Sequence, residues 1–223
     1  MVMNFFKDDI VNEIVKRPHA YLIMQQAKTI LGDENQKRQK FYNTISENQK
    51  AEFINGEIII HSPVRQLHNQ TTLFIARLLS AFVDKYSLGY TGFEKILISL
   101  TRNDYEPDIC FFKKEKSKKF KSSQIIFPSP DFIIEVLSKS TEKTDRGIKF
   151  DDYEAHAIEE YWIVDPEMQT IEQYHLENNR YKEIRKSDDG VIRSFVIENF
   201  NIPVSSVFNK DLNMQALSSI LSS

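Results

Sequence analysis

Two carboxylates stand where carboxylates are costly. Glu135 lies in the centre of the apolar run FIIEVL, and Asp108 heads ICFF directly after Pro107. A charge buried in such a run needs a cationic partner, a raised pKa, a metal ion or a local break in the sheet to compensate its desolvation. If the two segments are neighbouring strands, the carboxylates converge, and converging carboxylates repel unless a cation lies between them. Hard oxygen ligands of this kind suit Mg²⁺ or Mn²⁺. A single acid in a strand is more often an ordinary edge residue, but two on consecutive strands shift the balance toward chemistry.

Elements of recognisable type must carry these residues. Residues 1–50 read as a mostly helical N-terminal extension, with helix formers and apolar spacing over 20–31 and a polar stretch, GDENQKRQK, that reads as a solvated turn or helix start. In AEFINGEIIIHSP, Asn55-Gly56 separates two apolar runs, a strong signal for a β-hairpin, closed by Pro63. Leu67, Thr71, Phe74, Ile75, Leu78, Leu79, Phe82, Val83 and Tyr86 recur at helical spacing over 65–88, with Gly89 as the C′ residue. Strands follow at 93–100, 108–113 and 132–138, the last apolar on both faces and therefore central in a sheet. Ser140 or Thr141 caps a helix to about Ala157, and EYWIVDP forms the next strand, with Trp162 in the core. The strand–helix–strand unit over 132–164 calls for a parallel pair. A hairpin around Glu177-Asn178-Asn179, strand signals in FVIENF and a short final helix complete the chain. The core order is helix, three meandering strands, helix and a parallel strand.

Composition narrows the class. The 223 residues carry a formal net charge of −3 with a pI near 6.0, so any contact with nucleic acid must come from local patches. The lysine-rich run Lys113 to Lys121 joins the two acidic strands. Beside a metal site it is suited to hold phosphates; the alternative is a mobile solvated loop. The single cysteine, Cys110, allows no disulfide within the chain and reads as a small buried hydrophobe in a reducing compartment. MVMNFFKDDIV reaches Lys7, Asp8 and Asp9 too early for a secretory leader, and no apolar stretch spans a bilayer. A cytoplasmic protein with no membrane association is expected.

The strings EFINGEIIIHSP, YEPDICFF, FPSPDFIIEVLSKST and DRGIKFDDYEAHAIEEYWIVDP resemble the Uma-two family of restriction-endonuclease-like proteins, within the PD-(D/E)XK nuclease superfamily. The resemblance covers roughly residues 50–185 and is densest over 106–166. It implies an α/β (α+β) restriction-endonuclease-like core, a mixed central sheet in α-β-β-β-α-β order, spanning 51–223 with the helical extension and additional β-hairpins around it. It also implies hydrolysis of DNA assisted by a divalent metal. Asp108 and Glu135 would be metal ligands, with the carbonyl of Val136 as a third. The superfamily expects a lysine two residues after the glutamate, where this chain has Leu137. The resemblance points to Lys149 as a migrated replacement on the following helix, with Tyr153 one turn further along the same face. Otherwise Lys149 is an ordinary surface lysine near Asp145 and Asp152. His68, Glu57 and Glu52 match family-like positions that could orient water or a second metal, and each also suits a solvated hairpin or helix-start residue.

Two other classes compete with a metal-dependent endonuclease. One is a non-catalytic relative that uses the fold to bind nucleic acid or a protein, a reading that Leu137 keeps open. The other is a glycoside hydrolase using the paired acids, which fits carboxylates inside a sheet less well. A homodimer is expected by analogy with nucleases that cut both strands.

Overall fold

The computed structural model describes residues 10–45 and 49–222, so Lys7, Asp8 and Asp9 lie outside the described residues. These residues form two compact units. The first holds the described residues up to His61 together with Thr101–Asp104, and the second holds Ser62–Leu100 and Tyr105 onward.

In the first unit, helices α1 (Ile10–Val15) and α2 (Ala20–Thr44) precede the hairpin β1 (Ala51–Ile54) and β2 (Glu57–Ile60). Helix α2 runs straight through the polar stretch expected to be a turn or a helix start. Glu34, Gln36, Lys37, Arg38, Gln39 and Lys40 are good helix formers, and Gly32 sits in open space. Arg38 is the anchor. Its guanidinium grips the Asp104 carboxylate through two bonds of 2.6 and 2.7 Å, and Phe41 packs on Phe53. The hairpin turn is as expected, with Asn55 and Gly56 both at positive φ (51° and 82°). A side chain at Gly56 would also collide with Glu34.

The second unit opens with α3 (Gln66–Tyr86) and continues through β3 (Gly89–Phe93), β4 (Leu97–Ser99), β5 (Asp104–Tyr105, the first residue belonging to the first unit), β6 (Ile109–Lys113), α4 (Lys114–Ser117), β7 (Ile126–Phe127) and β8 (Phe132–Val136). Then come α5 (Glu142–Thr144), a π-helical turn (Asp145–Lys149), α6 (Phe150–Ala155), β9 (Glu160–Asp165), β10 (Thr170–Glu177) and β11 (Arg180–Ser187). Strands β12 (Val191–Arg193) and β13 (Asn201–Pro203) pair with each other, and a 3₁₀ turn leads to α7 (Lys210–Ser222). The central sheet has the order β11-β10-β9-β8-β6-β3. Its β3, β6 and β8 form the antiparallel meander, and β9 lies parallel to β8, as the crossover requires.

Several local expectations need correction. The αL residue that ends α3 is Ser87, not Gly89. Gly89 instead opens β3, where a Cβ would lie 2.0 Å from the Phe112 carbonyl oxygen. The segment 93–100 is not one strand, because Glu94 and Lys95 adopt positive φ and break it. The helix over 140–157 is interrupted at Gly147, whose φ and ψ are non-helical. FVIENF is not a strand; it links β12 and β13 as turns, although its Ile197 and Phe200 are buried.

One hydrophobic cluster lies on the α3 face of the sheet. Ile75, Leu78, Leu79 and Val83 of α3 pack against Ile109, Phe111, Phe132, Ile134 and Trp162. Phe132 and Trp162 meet edge-to-face at 5.0 Å. Cys110 is buried in β6, and burial pushes its thiol pKa upward. Among the described residues no helix is long and apolar enough to cross a membrane.

Candidate active site

The β6–β8 ladder runs antiparallel through Phe111↔Phe132, Cys110↔Ile133 and Ile109↔Ile134. One step further brings Asp108 opposite Glu135, so both side chains leave the same face of the sheet. Here the ladder gives way to side chains. The Val136 amide donates to Asp108 Oδ2 at 2.9 Å, and the Asp108 amide donates to Glu135 Oε2 at 3.3 Å. Each acid is therefore held by main chain from the other's strand. Asp108 is 4% exposed and Glu135 2%.

Two helical segments deliver the remaining groups. His68, in the first turn of α3, places Nε2 3.2 Å from Asp108 Oδ2. From the π turn, Lys149 Nζ lies 3.0 Å from Glu135 Oε1 and 3.3 Å from Asp145 Oδ1. Tyr153 donates its hydroxyl to the same Glu135 oxygen at 2.9 Å. Asp145, Lys149 and Tyr153 follow at four-residue spacing, which turns all three inward. The Tyr105 ring lies 5.8 Å from the Lys149 ammonium. Behind them, Tyr161 donates to the Asp145 carbonyl at 3.1 Å. Its hydroxyl is pushed well above the usual tyrosine range by burial first, then by the charges of Glu135 and Asp145.

His68, Asp108, Glu135, Val136 and Lys149 thus meet in one cluster of the second unit. Lys149 is buried rather than an ordinary surface lysine. Glu57 belongs to the first unit, on β2, with an exposed side chain. Glu52 is buried in the same unit, its Oε2 3.0 Å from His61 Nε2.

The lysine run does not lie beside the acids. Because β6 and β8 are antiparallel, their connection leaves from Lys113, while Asp108 stands at the other end of β6, about 17 Å away at 3.4 Å per residue. Nor is the whole run solvated. Lys113 pairs with Glu159 at 2.7 Å and Lys116 with the buried Asp131 at 2.9 Å.

Among the described residues no three or more His, Cys, Asp or Glu side chains group to hold a metal. The donor set is two hard carboxylates and the adjoining Val136 main chain. Mg²⁺ takes one or two carboxylates and keeps several waters, so these residues fit it.

A family model described as "Putative restriction endonuclease" (Uma2) matches residues 38–205. The chain belongs to the Uma2 family. A relative in Synechocystis sp., the uncharacterized protein sll1609, is 29% identical to this Uma2 chain over 134 residues, 59% of the chain and 75% of that protein. The crystal structure of a "putative nuclease belonging to DUF820" from Anabaena variabilis aligns with a TM-score of 0.65 at 19% identity, covering 78% of this chain and 96% of that one. The restriction-endonuclease-like core is therefore shared.

The desolvation argument has a further instance in this Uma2 chain that sequence reasoning missed. Glu160, at the head of β9, is fully buried. Trp162 Nε1 and Gln173 Nε2 donate to its Oε1, and the Ser194 hydroxyl and the Phe195 and Val196 amides donate to its Oε2. Burial raises its pKa despite these donors. No cation faces it in these bonds, and it ties the 194–196 turn to the sheet. Asp145, the second carboxylate on Lys149, was noted only as a neighbour in sequence; its spacing of four from Lys149 was the available signal.

Proposed function

We propose that this Uma2 protein is an endonuclease that hydrolyses DNA phosphodiester bonds with Mg²⁺ or Mn²⁺ held by Asp108, Glu135 and the Val136 carbonyl. The observation that carries this reading is the reciprocal main-chain clasp of Asp108 and Glu135, with the Lys149 ammonium 3.0 Å from Glu135 Oε1. The clasp orients both carboxylates before any ligand arrives. When bound, a divalent metal there polarises the scissile phosphate and lowers the pKa of a water.

The chain's own groups have separate tasks. Lys149, supplied by the helical segment rather than by position 137, offers a positive charge to the phosphoryl oxygens and to the attacking water. Tyr153 holds Glu135 Oε1, so the carboxylate keeps its direction when the lysine turns toward substrate. His68 holds Asp108 Oδ2 and can carry a proton at Nε2. The apolar strands behind the cluster keep bulk water from its inner side.

A second reading has an observation of its own. Lys149 already neutralises Glu135 and Asp145, as a purely structural ion cluster would. The fold would then serve to bind nucleic acid or a protein. Nicking of supercoiled plasmid in Mg²⁺ or Mn²⁺ decides between them. The nuclease reading expects nicking by the wild type and none by Asp108→Asn or Lys149→Met. Nicking that survives Asp108→Asn sinks the assignment, and a wild type that binds DNA without nicking it favours the second reading.

A further inference from the structure

Along the edge strand β3, an open cleft of about 750 Å³ is lined by Lys95, Lys114, Lys118 and Lys121 and by the rings of Tyr90, Phe120 and Phe127. Asp84 is the sole acidic residue in that lining. On a chain of net charge −3 this is a marked segregation of positive charge. Lys114, Lys118 and Lys121 pair with no carboxylate among the described residues, whereas their neighbours Lys113 and Lys116 do. Those two pairs, the bond from Lys116 to the Ser129 carbonyl and the bond from the Lys114 amide to the Leu88 carbonyl tie the segment down. The backbone that carries Lys114, Lys118 and Lys121 is thus fixed, and the three side chains line one cleft, where an anion would relieve their mutual repulsion.

The rings supply the second half of a ligand's description. Tyr90 lies parallel to Phe127 at 6.3 Å, and Phe120 stands edge-on to both at 6.1 and 5.2 Å. Tyr90 is nonetheless 40% exposed, so part of an ordered aromatic surface faces the cleft and solvent. Cations beside an exposed ring match a phosphate joined to a flat heterocycle. The size suits one or a few such units.

We propose that this cleft binds the phosphate and base of a nucleotide, either free or at a single-stranded end of a nucleic acid. The site is separate from the acid cluster and does not rest on the cleavage reading. Binding is measured in EDTA, by fluorescence anisotropy of a labelled short oligothymidylate with AMP as competitor. The wild type binds, more weakly as salt rises. Lys118→Ser/Lys121→Ser, at exposed positions, loses about tenfold in affinity and flattens the salt dependence. Tyr90→Leu loses about fivefold or more with the salt slope unchanged, while Tyr90→Phe, which keeps the ring, binds as the wild type does. Displacement by AMP identifies the free nucleotide as sufficient; binding that AMP does not displace assigns the strand end. A wild type that binds neither probe overturns the proposal, as does affinity unchanged by the lysine substitutions. Equal binding by Tyr90→Leu and wild type overturns the base-binding half and leaves an anion patch. If Tyr90→Leu melts early, the comparison of AMP with inorganic phosphate as competitors replaces it, and equal competition overturns base recognition.

Discussion

Lys149 Nζ and Glu135 Oε1 stand 3.0 Å apart with both side chains almost wholly buried. Each makes the other's burial tolerable, and removing one partner of such a pair costs about 3–5 kcal/mol because a charge is left uncompensated. Asp145, 3.3 Å from the same ammonium, raises the stake. Lys149→Met is therefore expected to abolish plasmid nicking and to lower stability by about 3 kcal/mol, with Mg²⁺ restoring part of the stability. Denaturant midpoints with and without Mg²⁺ check this. An unchanged midpoint would mean that another group compensates Glu135.

Asp108 and Glu135 should govern the response to metal. Saturating Mg²⁺ or Mn²⁺ is expected to raise the wild-type Tm by about 5 °C. The rise should disappear in Asp108→Asn and in Glu135→Gln. A thermal melt series checks it, and an equal shift in all the proteins rules out these acids as ligands.

The lysine segment makes a prediction by contrast. Lys116 is paired with buried Asp131 and bonded to the Ser129 carbonyl, whereas Lys119 is exposed and joins no ion pair among the described residues. Lys116→Ser should cost about 1–2 kcal/mol and Lys119→Ser less than about 0.5 kcal/mol. Chemical denaturation of the two variants checks the difference; equal effects would show that the Lys116 clamp contributes nothing.

Acid should reveal a second stabilising cluster. Burial opposes ionisation of Glu172, but hydrogen bonds from Arg146, Lys186 and Tyr174 prevail and hold its pKa down to about 2. A carboxylate depressed in the folded state contributes its stability above the ordinary carboxylate range and loses it as pH falls toward its folded value. The loss should therefore develop between about pH 4.5 and 2. Arg146 and Lys186 remain partly in water, so screening limits the effect to about 1 kcal/mol. Glu172→Gln should be less stable than wild type at neutral pH and lose less on acidification. Parallel stability curves for the two proteins would refute the assignment.

The acid pair was legible because its physics is local: a carboxylate in an apolar strand must be compensated, and consecutive strands bring two together. The same argument could not separate Glu135, which meets a lysine, from Glu160, which meets neutral donors, because all of those donors but Trp162 arrive from residues 173–196. Lys149 came from family resemblance, since nothing in its spacing from Glu135 announces a π turn or the break at Gly147. The lysine run was misplaced for want of one step: an antiparallel pair necessarily puts its connection opposite Asp108. Helix α2 and Gly89 were misread where tertiary partners outvoted local signals. Arg38 anchors α2 from within the polar stretch, and Gly89 makes room for a passing carbonyl instead of ending α3.

Cys110 turns β6 into its own reporter. It is the chain's one thiol, it is 1% exposed, and burial holds it in the protonated, unreactive form. A thiol reagent can reach it only when the meander opens, so the labelling rate under native conditions counts openings of the strand next to Asp108. No engineered probe is needed, and the trace of a single reagent would tell whether a ligand at the acid pair slows the breathing of the sheet that carries it.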